Sequence, residues 1–252
     1  MDTVVVLQAR MGSTRLPGKA MLPLGGDPTI VQEIKRIDQS TQFDREDVLV
    51  ATSERPQDDI LEWAATRVGA KVYRGSESDV LGRINEAIEY SGADSIVRIT
   101  ADNPIYDPTL VDLLLETLQT ENIDFISNKL SDSFPVGLGA SAFTHDAIAR
   151  VDKSVSDDHY REHMGKYFRD NRCDFAWSSV GASDLYEEGF LEEVPTFSDL
   201  RLTMDVLADY RLFSRVFKTA SFEGILSTRQ AVKHIVKNDL QKLNADVSQE
   251  LS

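Results

Sequence analysis

The chain has 252 residues, 41% of them hydrophobic, and carries 42 acidic against 27 basic side chains for a formal net charge of -15. That length and apolar content suit one large α/β domain or two small ones and exclude a mostly disordered chain. An acidic surface repels nucleic acid and anionic membranes, no apolar run approaches the roughly 20 residues of a membrane span, and a lone cysteine, Cys173, excludes an intramolecular disulfide.

In chain order, Val4 to Gln8 reads as a strand, with no basic-then-apolar leader before it, so a soluble cytoplasmic protein is the expectation. Pro28 to Asp38 reads as a helix, Asp47 to Ser53 as a strand, Pro56 to Val68 as a helix and Ala70 to Arg74 as a strand. Asp79 to Tyr90 is a third helix, Ser95 to Thr100 a fourth strand, and Pro108 to Leu118 a helix with proline at its first position. Such alternation predicts an α/β fold with a mostly parallel, doubly wound sheet. The second half is mixed. Asp124 to Asn128 reads as a strand, and Ser133 to Phe143 as a Gly- and Pro-punctuated loop leading into an edge or hairpin strand. Asp157 to Arg169 reads as one charged amphipathic helix, Phe175 to Val180 and Leu200 to Met204 as strands, and Ala208 to Lys218 as a helix. A single domain over residues 1–220 is expected, then a polar C-terminal helix and tail over 221–252, with a helical pattern at Thr228 to Val236 and the last ten or so residues frayed.

The first strand runs into Gln8-Ala9-Arg10-Met11-Gly12-Ser13-Thr14-Arg15-Leu16-Pro17-Gly18-Lys19. Small residues and glycines let backbone N–H groups approach phosphate oxygens, while Arg10, Arg15 and Lys19 supply charge that does not titrate near neutral pH. In a chain this acidic, three cations on the loop after a central strand mark a polyphosphate site. The spacing matches neither the P-loop nor the glycine triplet of dinucleotide folds.

Open sheets bind ligands beyond the carboxyl ends of their strands, and Arg98-Ile99-Thr100-Ala101-Asp102-Asn103-Pro104 delivers a carboxylate there. Asp102 either starts a turn or helps to hold Mg²⁺, a hard ion satisfied by few carboxylates plus phosphate oxygens and water. Leu200-Arg201-Leu202-Thr203-Met204-Asp205 repeats the pattern, and Asp205 either caps the following helix or joins Asp102 at one metal. Arg74-Gly75-Ser76-Glu77-Ser78-Asp79-Val80-Leu81-Gly82-Arg83 leads from a strand into a helix; Ser78 or Asp79 serves as its cap, and the loop's backbone is free to contact a base or ribose. His159 and His163 share one helical face, but zinc needs a third ligand and no His-Glu-x-x-His pattern exists. Substrate contact by His163, or a plain interfacial histidine, fits better.

On these residues the chain resembles the cytidylyltransferases that activate acidic sugars, and within them the spore-coat polysaccharide biosynthesis branch. Gln8 to Lys19 is similar to the superfamily's N-terminal signature, Arg74 to Arg83 to the branch's Arg-Gly-Ser…Asp-Val-Leu segment, Arg98 to Asp107 to its Gly-Asp-Cys-Pro strand motif, and Leu200 to Asp209 to its Leu-Thr-Val-Asp…Asp element. The resemblance implies a nucleotide-diphospho-sugar transferase-like fold, CTP as donor, a small sugar acceptor, Mg²⁺ on Asp102 and Asp205, and a homodimer with residues 130–180 near the interface or the sugar. It implies that Arg10, Arg15 and Lys19 act on the phosphates, and that Gln8, Ala9, Arg10, Gly12, Ser13, Arg15, Lys19, Gly75, Ser76, Arg83 and Asp102 bind nucleotide.

The acceptor loop departs from the branch. Where the branch reads Phe-Pro-Asp-Gly-Leu-Asp-Val-Glu-Val-Phe, this chain has Phe134-Pro135-Val136-Gly137-Leu138-Gly139-Ala140-Ser141-Ala142-Phe143, so Val136, Gly139 and Ser141 replace three acids. With His163 they form the expected acceptor site, which has lost charge and gained room for a larger or more anionic acceptor. Two other readings stand: a phosphate or phosphonate acceptor, supported by Lys129, Arg161 and Lys166, and a nucleotide-binding scaffold without turnover.

Overall fold

The computed structural model describes residues 2–247 and arranges them around a seven-stranded sheet. Strand β1 (Thr3–Gln8) is followed by a short antiparallel pair, β2 (Pro23–Leu24) and β3 (Asp27–Pro28), then α1 (Thr29–Arg36), β4 (Val48–Ser53), α2 (Asp59–Thr66), β5 (Lys71–Gly75), α3 (Val80–Ser91), β6 (Ser95–Thr100) and α4 (Pro108–Thr120). The second half holds β7 (Phe125–Ser127), β8 (Ser141–Thr144), α5 (His145–Ser154), α6 (Asp158–Glu162), α7 (Met164–Asp170), β9 (Trp177–Ser179), α8 (Ala182–Leu185), α9 (Glu188–Glu193), α10 (Leu207–Thr219) and α11 (Thr228–Lys237).

The strand order is β5-β4-β1-β6-β8-β7-β9. The first four are parallel, β8 runs against β6 and β7, and β9 is parallel to β7. This is the mostly parallel, mixed sheet that the sequence predicts. Its centre explains the unbroken Val4 to Leu7 run. Val5 and Leu7 pack with Ile30, Ile34 and Leu114 on one face, while Val4 and Val6 pack with Leu81, Ile84 and Phe168 on the other. A strand covered by helices on both faces needs apolar residues at every position, not alternate ones.

Several expected elements are corrected. The segment Leu200 to Met204 is no strand: a single parallel bridge joins Arg201 to Val136, the Leu202 N–H donates to Val136 O at 2.6 Å, and the Met204 N–H donates to Asp102 O at 2.7 Å. It is an extended strap tied to two different segments, and its apolar residues are buried because both sides of the strap are covered. The helix over Asp157 to Arg169 breaks at His163 (φ -112, ψ 55), giving α6 and α7. Of the two expectations for the strand after Ser133, hairpin holds and edge does not: β8 pairs antiparallel with the preceding β7 and lies inside the sheet, between β6 and β7. Helices α5, α8 and α9 have no counterpart among the expected elements.

A third apolar cluster carries the strap. Leu202 and Met204 pack with Leu212, Phe213 and Val216 of α10 and with Ala231, Val232 and Ile235 of α11. Each fully buried side chain of that size contributes on the order of 1.5–3 kcal/mol, so α11 is part of the body that fixes the strap. Asn244 is buried and donates to Arg201 O at 3.0 Å, so the ordered chain runs into the expected frayed tail. Residues 248–252 of that tail lie outside the described residues.

Candidate active site

Parallel strands β1 and β6 are neighbours in register, with Gln8 opposite Thr100, so the loop after β1 and Asp102 after β6 emerge side by side. They open onto a cavity of about 1080 Å³. The first loop is held by its own bonds: the Met11 N–H donates to Asp58 Oδ1 at 2.8 Å, and the Gly18 N–H to Met11 O at 3.1 Å. Asp58 is itself buried and takes the Thr52 hydroxyl at 3.1 Å, so α2 and β4 fix the loop from below.

Lys19 is the centre of the site. Its Nζ donates to Asp102 Oδ2 at 2.9 Å and to Asp205 Oδ1 at 2.8 Å, and Arg15 Nη2 approaches Asp205 Oδ1 at 3.1 Å. Burial works against the Lys19 charge, but the attraction of Asp102 and then Asp205 outweighs it and raises the ammonium above its ordinary value. Burial would raise the Asp102 carboxyl, yet Lys19 and the Thr100 hydroxyl, at 2.7 Å, hold it below the usual range. Both pairings of Asp102 are on side-chain oxygens, while its backbone O takes the strap.

Asp205 does not cap α10. That duty falls to Asp209, whose Oδ2 accepts the N–H groups of Asp205 at 2.9 Å and Val206 at 3.1 Å. Asp209 is in turn locked by Arg201 Nε at 3.0 Å and the Asn244 side chain at 2.9 Å. The aspartate in the first turn of α10 therefore does the capping, which leaves Asp205, 3% exposed, turned to the cations. The close approach of strap and acceptor loop depends on Gly137 (φ +101): a Cβ there would lie 2.0 Å from Leu202 C and 2.1 Å from Thr203 N.

Two carboxylates that share one ammonium form a pocket that a hard divalent ion also suits, provided phosphate oxygens and water complete its shell. No group of three or more His, Cys, Asp or Glu side chains placed to hold a metal ion occurs among the described residues. The rings of His159 and His163 contact each other, 4.9 Å apart, on the cavity wall.

Further cations line the cavity: Arg98, Lys129, Lys166 and Arg169 belong to its lining, as do Val136, Gly139 and His163. Arg98 donates from Nε and Nη2 to the Gln8 side-chain oxygen at 3.1 and 2.5 Å, which aims the guanidinium without neutralising it. Burial, with help from Arg83 and Arg169, brings Arg98 down to about 10 against the pull of Asp102. Lys129 is exposed to the cavity, yet the protein around it desolvates its ammonium, which, with Arg98 and Arg169 and against the pull of Asp102, is pushed down to about 8.

Most sequence-derived site residues thus converge: Gln8, Ala9, Arg10, Ser13, Arg15, Lys19, Asp102, Asp205, Val136, Gly139 and His163 all line the cavity. Arg10 reaches across the mouth to Glu162 at 3.4 Å. Gly75 and Ser76 line a smaller recess of about 290 Å³ with Glu54, Arg55, Glu77 and Ser78. Three expected residues lie elsewhere. Gly12 is wedged between Gln57 and Glu77, outside the cavity lining. Arg83 is buried beneath the recess, where its Nη1 supports the Ser76 carbonyl. Ser141 shares the sheet face of Arg98, but it is buried and its hydroxyl is bonded to Ser127 Oγ at 2.7 Å, so it does not meet an acceptor. Asp79, not Ser78, caps α3, accepting the Gly82 N–H at 2.9 Å, and it also binds Arg161. Arg161 is consequently turned away from the cavity, and Lys166 is paired with Asp170 at 2.6 Å. Arg169 and Thr203, both in the lining, were not expected from sequence.

The comparisons with known proteins agree with this geometry. A family model described as cytidylyltransferase matches residues 4–215. The spore coat polysaccharide biosynthesis protein SpsF of Bacillus subtilis is 32% identical over 244 residues, 94% of this chain and 95% of that protein. The structure of a cytidylyltransferase from Leptospira borgpetersenii serovar Hardjo-bovis superposes with a TM-score of 0.86 at 28% identity, covering 99% of this chain and 100% of that one. A CMP:2-keto-3-deoxy-manno-octonic acid synthetase complexed with CTP shares the fold, with a TM-score of 0.57 at 20% identity over 72% of this chain and 91% of its own.

Proposed function

The chain belongs to the cytidylyltransferase family, and from that premise we propose that it transfers CMP from CTP to a sugar or sugar-acid acceptor, with Mg²⁺, for surface polysaccharide or glycoconjugate synthesis. The observation that carries this reading is Lys19 held between Asp102 and Asp205 beneath the cationic first loop. In the reaction an acceptor oxygen attacks the α-phosphorus of CTP, the bond from that phosphorus to the bridging oxygen breaks, and pyrophosphate leaves with the electron pair. The acceptor's proton passes to solvent.

Arg10 and Arg15 stand on the loop where the phosphates enter, and both are open enough to exchange their present carboxylate partners for phosphate oxygens. Charge that builds on the leaving oxygens is stabilised by these fixed cations, the largest kind of contribution in such sites. Asp102 and Asp205 would hold Mg²⁺, which neutralises phosphate charge and makes the α-phosphorus more electrophilic. The recess at Gly75 and Ser76 offers backbone groups to the base or ribose. Val136, Gly139 and His163 bound the acceptor side.

The test is pyrophosphate release from CTP and Mg²⁺ with a panel of sugars and sugar acids, 3-deoxy-manno-octulosonate among them. Release with at least one acceptor is expected, and Asp102→Asn and Asp205→Asn should each slow it about 10²–10³-fold while leaving the circular dichroism spectrum intact. Silence across the panel, or near-full turnover in both variants, removes the assignment. A phosphate or phosphonate acceptor is the second reading, favoured by the placement of Lys129 on the cavity wall.

A further inference from the structure

The first loop follows β1 and the recess loop at Gly75 and Ser76 follows β5, yet one short segment holds both. The sheet order β5-β4-β1 puts the carboxyl end of β4 between them. That segment runs from Ser53, the last residue of β4, to Asp58, the residue before α2. Towards the recess, the Glu54 N–H donates to Gly75 O at 3.0 Å, Arg55 Nε donates to Glu77 Oε2 at 2.8 Å, and Arg55 O accepts from Arg74 Nη2 at 2.9 Å. Towards the first loop, Asp58 Oδ1 accepts the Met11 N–H at 2.8 Å. A Cβ on the next residue, Gly12, would lie 3.2 Å from both Gln57 Nε2 and Glu77 Oε1, so the three segments meet at that glycine.

Asp58 is the unusual member, a carboxylate with 0% exposure and no ion pair among the described residues. A buried charge is costly unless its oxygens are hydrogen-bonded. Oδ2 is satisfied within its own segment, by the Thr52 hydroxyl at 3.1 Å, the Ser53 N–H at 3.2 Å and the Ser53 hydroxyl. Oδ1 instead reaches 47 residues back along the chain to a single backbone N–H. An asparagine cannot do both, because its amide has one acceptor oxygen while the Met11 and Ser53 N–H groups each require one. The buried Arg83, whose Nη1 supports the Ser76 carbonyl, lies within the field of the Asp58 charge and adds a further link to the recess. Asp58 itself lines neither the cavity nor the recess.

We infer that Asp58 is a positioning residue for the nucleotide donor: it holds the Met11 N–H while its own segment holds the recess loop, and so fixes the spacing between the two ends of the donor site. This rests on the cytidylyltransferase reading, which lays CTP across both. A ligand that spans two prealigned subsites gains from their alignment, whereas a fragment that fills one of them does not. Loss of the clamp therefore weakens the whole nucleotide more than its parts.

Calorimetric titration of the full-length protein with Mg²⁺ tests it, with CTP, inorganic tripolyphosphate and cytidine as separate probes of the wild type, Asp58→Asn and Thr52→Val. In Asp58→Asn, CTP is expected to weaken at least about tenfold, the scale of one charge-assisted hydrogen bond, and each fragment less than about threefold. Thr52→Val strips one donor from Oδ2 and leaves the Met11 bond, so it is expected to lower the urea midpoint while CTP affinity stays within about twofold. CTP affinity in Asp58→Asn within about twofold of wild type overturns the inference. So does tripolyphosphate falling in step with CTP, or Thr52→Val losing CTP affinity in step with its stability, since either makes the effect a general loosening. Hydrogen exchange in the wild type needs no variant: the Met11 amide is expected to be protected at least about a hundredfold although it lies in a loop, and exchange at the rate of an open loop overturns the clamp even if Asp58→Asn does not fold. Failure of the wild type to bind CTP counts instead against the enzymatic reading, and the Met11 amide still reports on Asp58.

Discussion

Replacing Lys19 by methionine keeps the stem and removes the one ammonium that two carboxylates share. Lys19 is 14% exposed and Asp205 3%, so the pair is largely withdrawn from water, whereas Asp102 at 26% keeps partial solvation. Breaking a buried ion pair costs about 3–5 kcal/mol; with Arg15 still on Asp205 and Asp102 partly wet, about 2–4 kcal/mol is expected here near neutral pH. The pH dependence carries the sign. Asp102 has its carboxyl depressed by Lys19, so its contribution is present above the unfolded value near pH 4 and is lost as pH falls through the native one. Lys19 is raised, so its contribution is full below the unfolded value of about 10.4 and is lost as pH rises through the native one. The difference between wild type and Lys19→Met is therefore flat from about pH 5 to 10 and shrinks as pH is taken from 5 towards 3. Urea unfolding at several pH values measures it, and millimolar Mg²⁺ is expected to narrow it near neutral pH. A difference below about 1 kcal/mol at pH 7, or one that persists undiminished at pH 3, would refute the argument that this ammonium is what holds the two aspartates together.

Two further outcomes follow from the cavity wall and the strap. Lys129 is pushed down to about 8 by desolvation first and then by Arg98 and Arg169, with Asp102 opposing, so it is cationic below that pH and neutral above it. For an anionic acceptor, kcat/KM is expected to fall as pH rises through about 8, and the limb should vanish in Lys129→Met; an unchanged limb in the variant would assign it to another group. Gly137→Ala forces a Cβ to within 2.0 Å of Leu202 C and 2.3 Å of Leu202 O at a φ of +101. Because the obstacle is backbone and not a flexible side chain, a loss of about 3 kcal/mol or more in urea unfolding is expected; a loss under about 1 kcal/mol would mean that the strap yields freely.

The meeting of the first loop with Asp102 at one cavity was legible because its signals are local. Gln8 to Lys19 is one continuous loop, and the rule that ligands sit beyond the carboxyl ends of parallel strands placed Asp102 without further information. Asp205 was reached through a wrong element. Its strap has the apolar content of a buried strand, but its backbone bonds go to Val136 on one side and Asp102 on the other, and sequence cannot distinguish one bridge from a ladder. The further cations of the lining were not legible as a unit. Arg98 sat inside a recognised motif and Lys129 near a recognised loop, but only the packing of α7 against β6 brings Arg169 to them. The break at His163 that turns α7 into place has no proline, and its nearest cue is Gly165. Ser141 failed for a matching reason. Its facing follows from β8 pairing with both β6 and β7, and its hydroxyl was claimed by Ser127, a partner fixed by tertiary register alone.

The cations that line the cavity meet an anion in different ways, and the difference bears on the order of events. On the donor side each cation already has a carboxylate, so a triphosphate gains Arg10 or Arg15 only by taking it from Glu162 or Asp205. Drawing Arg15 away leaves Asp205, nearly inaccessible to water, with Lys19 and the more distant Arg201 at 3.6 Å. Were Mg²⁺ to arrive at Asp102 and Asp205 with the nucleotide, as proposed, that loss would be offset, and donor and cation binding would reinforce one another through a shared carboxylate. Arg98, Lys129 and Arg169, by contrast, have no ion pair among the described residues that an entering anion would have to displace. Arg98 is held in place beforehand by the Gln8 side chain.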